Sequence, residues 1–239
     1  MLIREAVSVF WQTLRDTWEE LYHLAIANLV WLFSWALPLT LISVVTHSGL
    51  MIAALLLALC LFALTTPGIY GVTNRVARGK TFQFGDFIDS VRLYWWRGLL
   101  WMLANIMVCL LIYVNVIFYP STFEGSWPLI VSFLWLGLLL FWLMMQVYFW
   151  PLLIEHEQHR MLLSWRNSAY LILANPFYAF FIGSFALVLL GVSALLVMPF
   201  IFVGMALMGI LGNNAVLTLL HRFGIIEEYR PQPMGRETS

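Results

Sequence analysis

The chain has 239 residues, 62 % of them apolar and 10 % charged. Soluble globular chains run at roughly 45–50 % and roughly 25 %, so lipid must solvate most of this surface. Twelve basic residues balance twelve acidic ones, and that neutrality argues against nucleic acid as a partner.

The first twenty residues are amphipathic. Ile3, Val7, Phe10, Leu14, Trp18 and Leu21 recur at helical steps, with Arg4, Ser8, Gln12, Arg15 and Glu19 between them. This pattern predicts a helix lying in the membrane interface. From Leu21 to Asn74 there are 54 residues without Asp, Glu, Lys or Arg. As one helix they would run about 81 Å, against a hydrocarbon core of about 30 Å. Two crossings are required, near 24–45 and 50–72, with a turn at Thr46–Gly49. The first run is too long for the core of a cleaved signal peptide.

A basic loop over 73–97 follows, with a second amphipathic stretch at Phe84, Phe87, Ile88, Val91 and Trp95. Gly98 to Ile154 holds a single charge, Glu124, and divides at Pro120–Pro128 into spans near 98–119 and 128–150. Glu155-His156-Glu157-Gln158-His159 is a dense group of metal-ligand residue types. Its histidines are three apart instead of the four of a helical zinc motif, and no third ligand is evident; a solvated helix end is expected. A third, shorter amphipathic stretch, Met161, Leu162, Trp165 and Ala169, leads into the last uncharged gap, Asn167 to Leu220. That gap divides at Met198-Pro199 into spans near 176–197 and 200–220, unless Pro199 kinks one long helix. Cys60 and Cys109 fall inside spans and read as packing residues.

The expected fold is an all-α membrane protein of six transmembrane helices. One integral domain covers 1–224, with a polar tail over 225–239. With an inside N-terminus, all twelve Lys and Arg fall on the inner side, which predicts cytoplasmic termini by the positive-inside rule. Trp18 to Asn28, Trp95 to Asn105 and Trp165 to Asn175 share one spacing, ten residues. They suggest three parallel repeats, 1–79, 80–154 and 155–224, each an interfacial helix plus two spans.

The predicted spans carry no Asp, Glu, Lys or Arg, so polarity inside them rests on amides. Asn28, Asn105 and Asn175 are the candidates for a polar pocket between the repeats or, alternatively, for plain helix packing. No nucleophile motif or phosphate loop appears, and no catalytic residue, cofactor or metal is expected.

Several segments resemble the YesL-like family of bacterial multi-pass membrane proteins of unknown function. They are Asn28 to Trp31, Pro38, the run Thr66 to Gly79 containing Pro67, Arg75, Arg78 and Gly79, then Phe82 and Asp86-Phe87. Pro151, Asn167, Asn214 and Arg222 extend the similarity over roughly 20–224. The resemblance implies a bacterial inner-membrane protein found beside sugar transporters, and brings no catalytic residues with it. The expectation is a non-enzymatic accessory or scaffold protein that contacts the lipid bilayer and a membrane partner such as a sugar transporter. The alternative is a small-molecule or lipid transporter.

Overall fold

The computed structural model describes residues 2–81 and 83–227, with side chains from residue 3 onward. Phe82, Arg230, Arg236 and the rest of the tail beyond Glu227 lie outside the described residues. Those residues form eight helices and no strand: α1 (Leu2–Glu19), α2 (Leu21–Ile42), α3 (Ser48–Ala77), α4 (Phe84–Thr122), α5 (Trp127–Glu155), α6 (Met161–Ala174), α7 (Pro176–Leu196) and α8 (Met198–Arg222). Six of them, α2, α3, α4, α5, α7 and α8, are long and apolar enough to cross a membrane. The protein is therefore a multi-pass integral membrane protein, with spans where the charge gaps put them.

One boundary differs from the sequence reading. The second amphipathic stretch has no break before its span, so α4 is one helix of 39 residues, about 58 Å long. Nothing between Trp95 and Gly98 supplies a stop, whereas Glu20 and Asn175 interrupt the helix in the other two cases. At the third gap the chain does turn. Val197 takes φ 58°, ψ −55° between α7 and α8, a conformation that strains a β-branched residue, and Pro199 sits in the first turn of α8.

Helix α1 docks on a different side from its large apolar stripe. Ala6, Val9, Thr13, Asp16 and Thr17 are buried, and the helix packs on α7 and α8. Val7, Ile3, Trp11 and Trp18 point outward at 38 to 77 % exposure. Lipid accepts those large side chains, while small and hydrogen-bonding ones favour close helix approach. Phe10 and Leu14 lie between the two sides, packed against the core.

The fold is built around α8, which packs on α1, α2, α3, α5 and α7. The most apolar window of α8 is 72 % buried, against 6 % for that of α4. How the spans meet follows from their prolines. A proline within a helix leaves the carbonyl four residues earlier without its N–H partner. Pro67 frees Ala63, and Gly98 of α4 lies against that carbonyl, so closely that a Cβ there would be 2.1 Å from Ala63 O. Pro151 frees Val147, and Gly212 of α8 covers it, with 2.5 Å for the same hypothetical contact. Pro120 frees Val116, whose carbonyl accepts the Ser132 hydroxyl of α5 at 3.1 Å. In each case a neighbouring helix meets an exposed backbone dipole, by close Cα approach or by a hydroxyl, as lipid-embedded backbone requires.

Candidate functional site

The ends of α3, α5 and α8 bring together a buried polar network, the densest in the described residues. It begins in the backbone of α8, where Asn213 Nδ2 donates to Gly209 O (2.8 Å) and to Thr73 Oγ1 (3.0 Å). Asn213 Oδ1 accepts from Asn74 Nδ2 at 3.0 Å, and the same amide nitrogen donates to Glu155 Oε1 at 2.7 Å. Arg78 completes the chain with two hydrogen bonds to the Glu155 carboxylate, Nε to Oε1 at 3.2 Å and a second from Nη2 to Oε2. Asn213 is fully buried and Asn74 nearly so, and the Glu155 side chain is 8 % exposed. A carboxylate so enclosed needs its paired guanidinium and its amide donor together.

A second polar contact lies beside it on α8. Asn214 Nδ2 donates to Asp16 Oδ2 at 2.9 Å and to Thr13 Oγ1 at 3.4 Å, and Arg222 reaches Glu5 at 3.4 Å. These contacts fix α1 antiparallel to the second half of α8. The sequence places Glu155 at a solvated helix end and gives no role to Asp16. Each turns into the bundle near a helix end, Glu155 toward Arg78 and Asn74 and Asp16 toward Asn214. The nearest sequence signal was the run Asn74-x-x-x-Arg78 and the paired Asn213-Asn214 on otherwise apolar helices.

Pro67, Arg75, Arg78, Gly79, Asp86 and Phe87 lie together at the α3–α4 corner. Arg78, Gly79 and Lys80 end α3 in a Schellman arrangement: Gly79 has φ 67°, and N–H groups of Gly79 and Lys80 bond to Val76 O and Arg75 O. Asp86 caps α4 through Gln83 N–H at 2.8 Å and also pairs with Arg75 at 3.0 Å. Phe87, 2 % exposed, lies over Gly68, where a Cβ would be 2.6 Å from its ring. Pro67 supplies the freed carbonyl described above. The motif is a joint.

The three candidate asparagines have separate partners. Asn28 is fully buried and grips the start of α8: it accepts N–H from Met205 (2.9 Å) and Ala206 (3.1 Å) and donates to the carbonyls of Ile201 (2.7 Å) and Phe200 (3.3 Å). The amide thus stands in for part of the α8 ladder. Asn105 donates back to Trp101 O at 2.8 Å and accepts the indole N–H of Trp142 on α5 at 3.0 Å. Asn175 donates to Leu171 O at 3.4 Å at the junction of α6 and α7. Among the described residues no hydrogen bond joins any two of them. Asn28 also fails to match Asn175 in register, since Asn28 sits inside α2 and Asn175 stands before α7. Glu20, not Asn28, stands at the break before α2, as Asn175 stands at the break before α7.

Aromatic side chains fill the space between these contacts. Trp150 stacks on Tyr70 with centroids 6.0 Å apart and meets Trp101 at 5.7 Å; Phe149 and Trp165 stack at 4.1 Å. Trp150 and Phe149 are fully buried. The indole N–H of Trp150 and the hydroxyl of Tyr148 have no partner among the described residues.

The His156–His159 segment disperses. Glu155 faces Arg78, His156 Nε2 meets the Asn167 amide at 2.9 Å, and His159 turns to Leu153 O (2.9 Å) and Tyr94. Burial holds His156 below the usual histidine range, with His159 pushing the same way and Glu155 opposing. Comparison with family models, with curated proteins and with solved structures gives no match.

Proposed function

We propose that the chain is a non-enzymatic accessory or scaffold protein of a membrane complex, in a bacterial plasma membrane with both termini cytoplasmic. One observation carries this reading: three intramembrane amides, Asn28, Asn105 and Asn213, make hydrogen bonds between helices and hold them together. Asn28 serves α8, Asn105 serves α5, and Asn213 joins α8 to α3. The aromatic packing of Trp150 on Tyr70 and Trp101 near the end of α5 supports the same reading. We take the resemblance to the YesL-like family as membership, with the α3–α4 corner as the shared element. On that basis the proposed partner is a carbohydrate-uptake transporter. The threefold unit is retained as a proposal in shifted register: α1–α3, α4–α5 and α6–α8, with the break at Glu20 matched to that at Asn175.

The test is mild solubilisation of native membranes after in situ crosslinking. A second membrane protein at fixed stoichiometry is the expected result. The competing reading, a transporter with a pocket lined by Asn28, Asn105 and Asn175, predicts that replacing each by Leu abolishes uptake at unchanged abundance. The accessory reading predicts lower abundance instead, falling most for Asn28→Leu, whose loss leaves buried backbone groups of α8 to re-pair. A chain that purifies alone, and whose Leu variants keep full abundance, rules the accessory reading out.

A further inference from the structure

A groove of about 610 Å³ opens between α4 and the start of α6. Three arginines, Arg97, Arg160 and Arg166, share its wall with Trp96, Leu100 and Leu163, and no carboxylate lines it. Four arginine–carboxylate pairs form among the described residues, and none of them uses these arginines. Arg160 and Arg166 are exposed and have no side-chain hydrogen bond among the described residues. Arg97 is held in place. Its Nε donates to His159 O at 3.0 Å, its Nη1 to Leu93 O at 3.1 Å, and its guanidinium lies 4.6 Å from the Trp96 ring centroid.

Three positive charges in one concavity repel one another, and an anion relieves that repulsion. The rest of the wall narrows the choice of anion. Leu100 and Leu163 line the groove, and Leu103, Met107 and Leu162 continue the apolar surface outward at 55 to 85 % exposure. Trp95 and Trp96, half exposed, are the residue type that marks the headgroup level of a bilayer. A site that is basic at the headgroups and apolar alongside matches a molecule with a phosphate at one end and acyl chains at the other.

We propose that this groove is a binding site for an anionic phospholipid, its phosphate held by Arg97, Arg160 and Arg166 and its chains laid along α4 and α6. The site is separate from the polar network, since Arg78 and not these arginines pairs with Glu155.

The experiment uses the full chain in nanodiscs of phosphatidylcholine with about one-fifth phosphatidylglycerol, followed by detergent exchange and native mass spectrometry of retained lipid. Wild-type protein is expected to retain phosphatidylglycerol in preference to phosphatidylcholine. The double variant Arg160→Gln/Arg166→Gln removes two side chains without partners and should lower that preference about 30-fold, from about fivefold per arginine near a membrane surface. The control Arg4→Gln/Arg92→Gln removes the same charge elsewhere and should leave the preference unchanged. Equal retention by wild type and the double variant overturns the proposal, as does equal loss in the control. Inorganic phosphate that stabilises the detergent-purified protein as well as phosphatidylglycerol does would mark a site for the free anion and overturn the lipid assignment. An acidic protein segment recovered at the groove in place of lipid overturns it too.

Discussion

At the residue scale, the bundle tolerates a buried carboxylate because Glu155 never lacks a counter-charge. Arg78 makes two bonds to it and Asn74 a third. Removing one member should cost more than removing both, since a lone buried charge keeps its desolvation penalty. Glu155→Leu or Arg78→Met alone is expected to lower stability by about 3 kcal/mol. The double variant should recover at least half of the summed loss, measured by denaturation in detergent. Additive losses would mean that the pair is exposed to water in the membrane. Asp16 follows the same rule: a charge beside a span carries no sequence signal of its partner, since Asn214 lies on a distant helix.

Elements meet where a proline and a glycine face each other. Gly98 and Gly212 each allow one helix to approach a carbonyl that a proline has freed on the next. An added methyl would fall 2.1 Å from Ala63 O and 2.5 Å from Val147 O, and neither backbone oxygen can rotate away. Gly98→Ala and Gly212→Ala should each cost about 1–3 kcal/mol by forcing the helices apart. Gly137→Ala, with open space at that position, should cost nothing measurable. Equal thermal midpoints for all three variants in one detergent would refute this account of the joints.

The corner between α5 and α6 is a separate element with its own pH dependence. His156, whose neighbours are Glu155, His159 and Asn167, titrates below its usual value in the folded state. The unfolded chain therefore takes up a proton first as pH falls, so the contribution is complete above about pH 6.5 and lost below it. Hydrogen-exchange protection over 156–167, taken relative to the intrinsic rate at each pH, should fall between about pH 7 and about pH 5, and His156→Gln should remove that dependence. Exchange that speeds up on raising the pH, beyond its intrinsic base catalysis, would show the opposite linkage.

For the whole molecule, the distribution of charge predicts the orientation. The ten Lys and Arg among the described residues lie in segments on one side of a six-span arrangement, and moving any cluster across lipid is costly. Reporter fusions at the first residue and after Glu227 should both read cytoplasmic, and one inserted beside Glu124 should read external. A periplasmic signal from either terminus would invert the arrangement and remove the headgroup assignment of the arginine groove.

What the chain determined alone is its solvent and its number of crossings. Charge gaps of 54 to 57 residues against a fixed bilayer thickness leave little choice, because every charge buried in lipid and every unpaired peptide group is penalised wherever it lies. Turns at Thr46–Gly49 and Met198-Pro199 were legible for the same reason: Gly and Pro act on their own backbone. The partners were not legible. Which face of α1 docks, which carbonyl Gly98 covers and which helix Asn28 grips depend on residues 35 to 217 positions away. In lipid the apolar pattern no longer marks the inside, so only packing in three dimensions decides which side of a helix is the core.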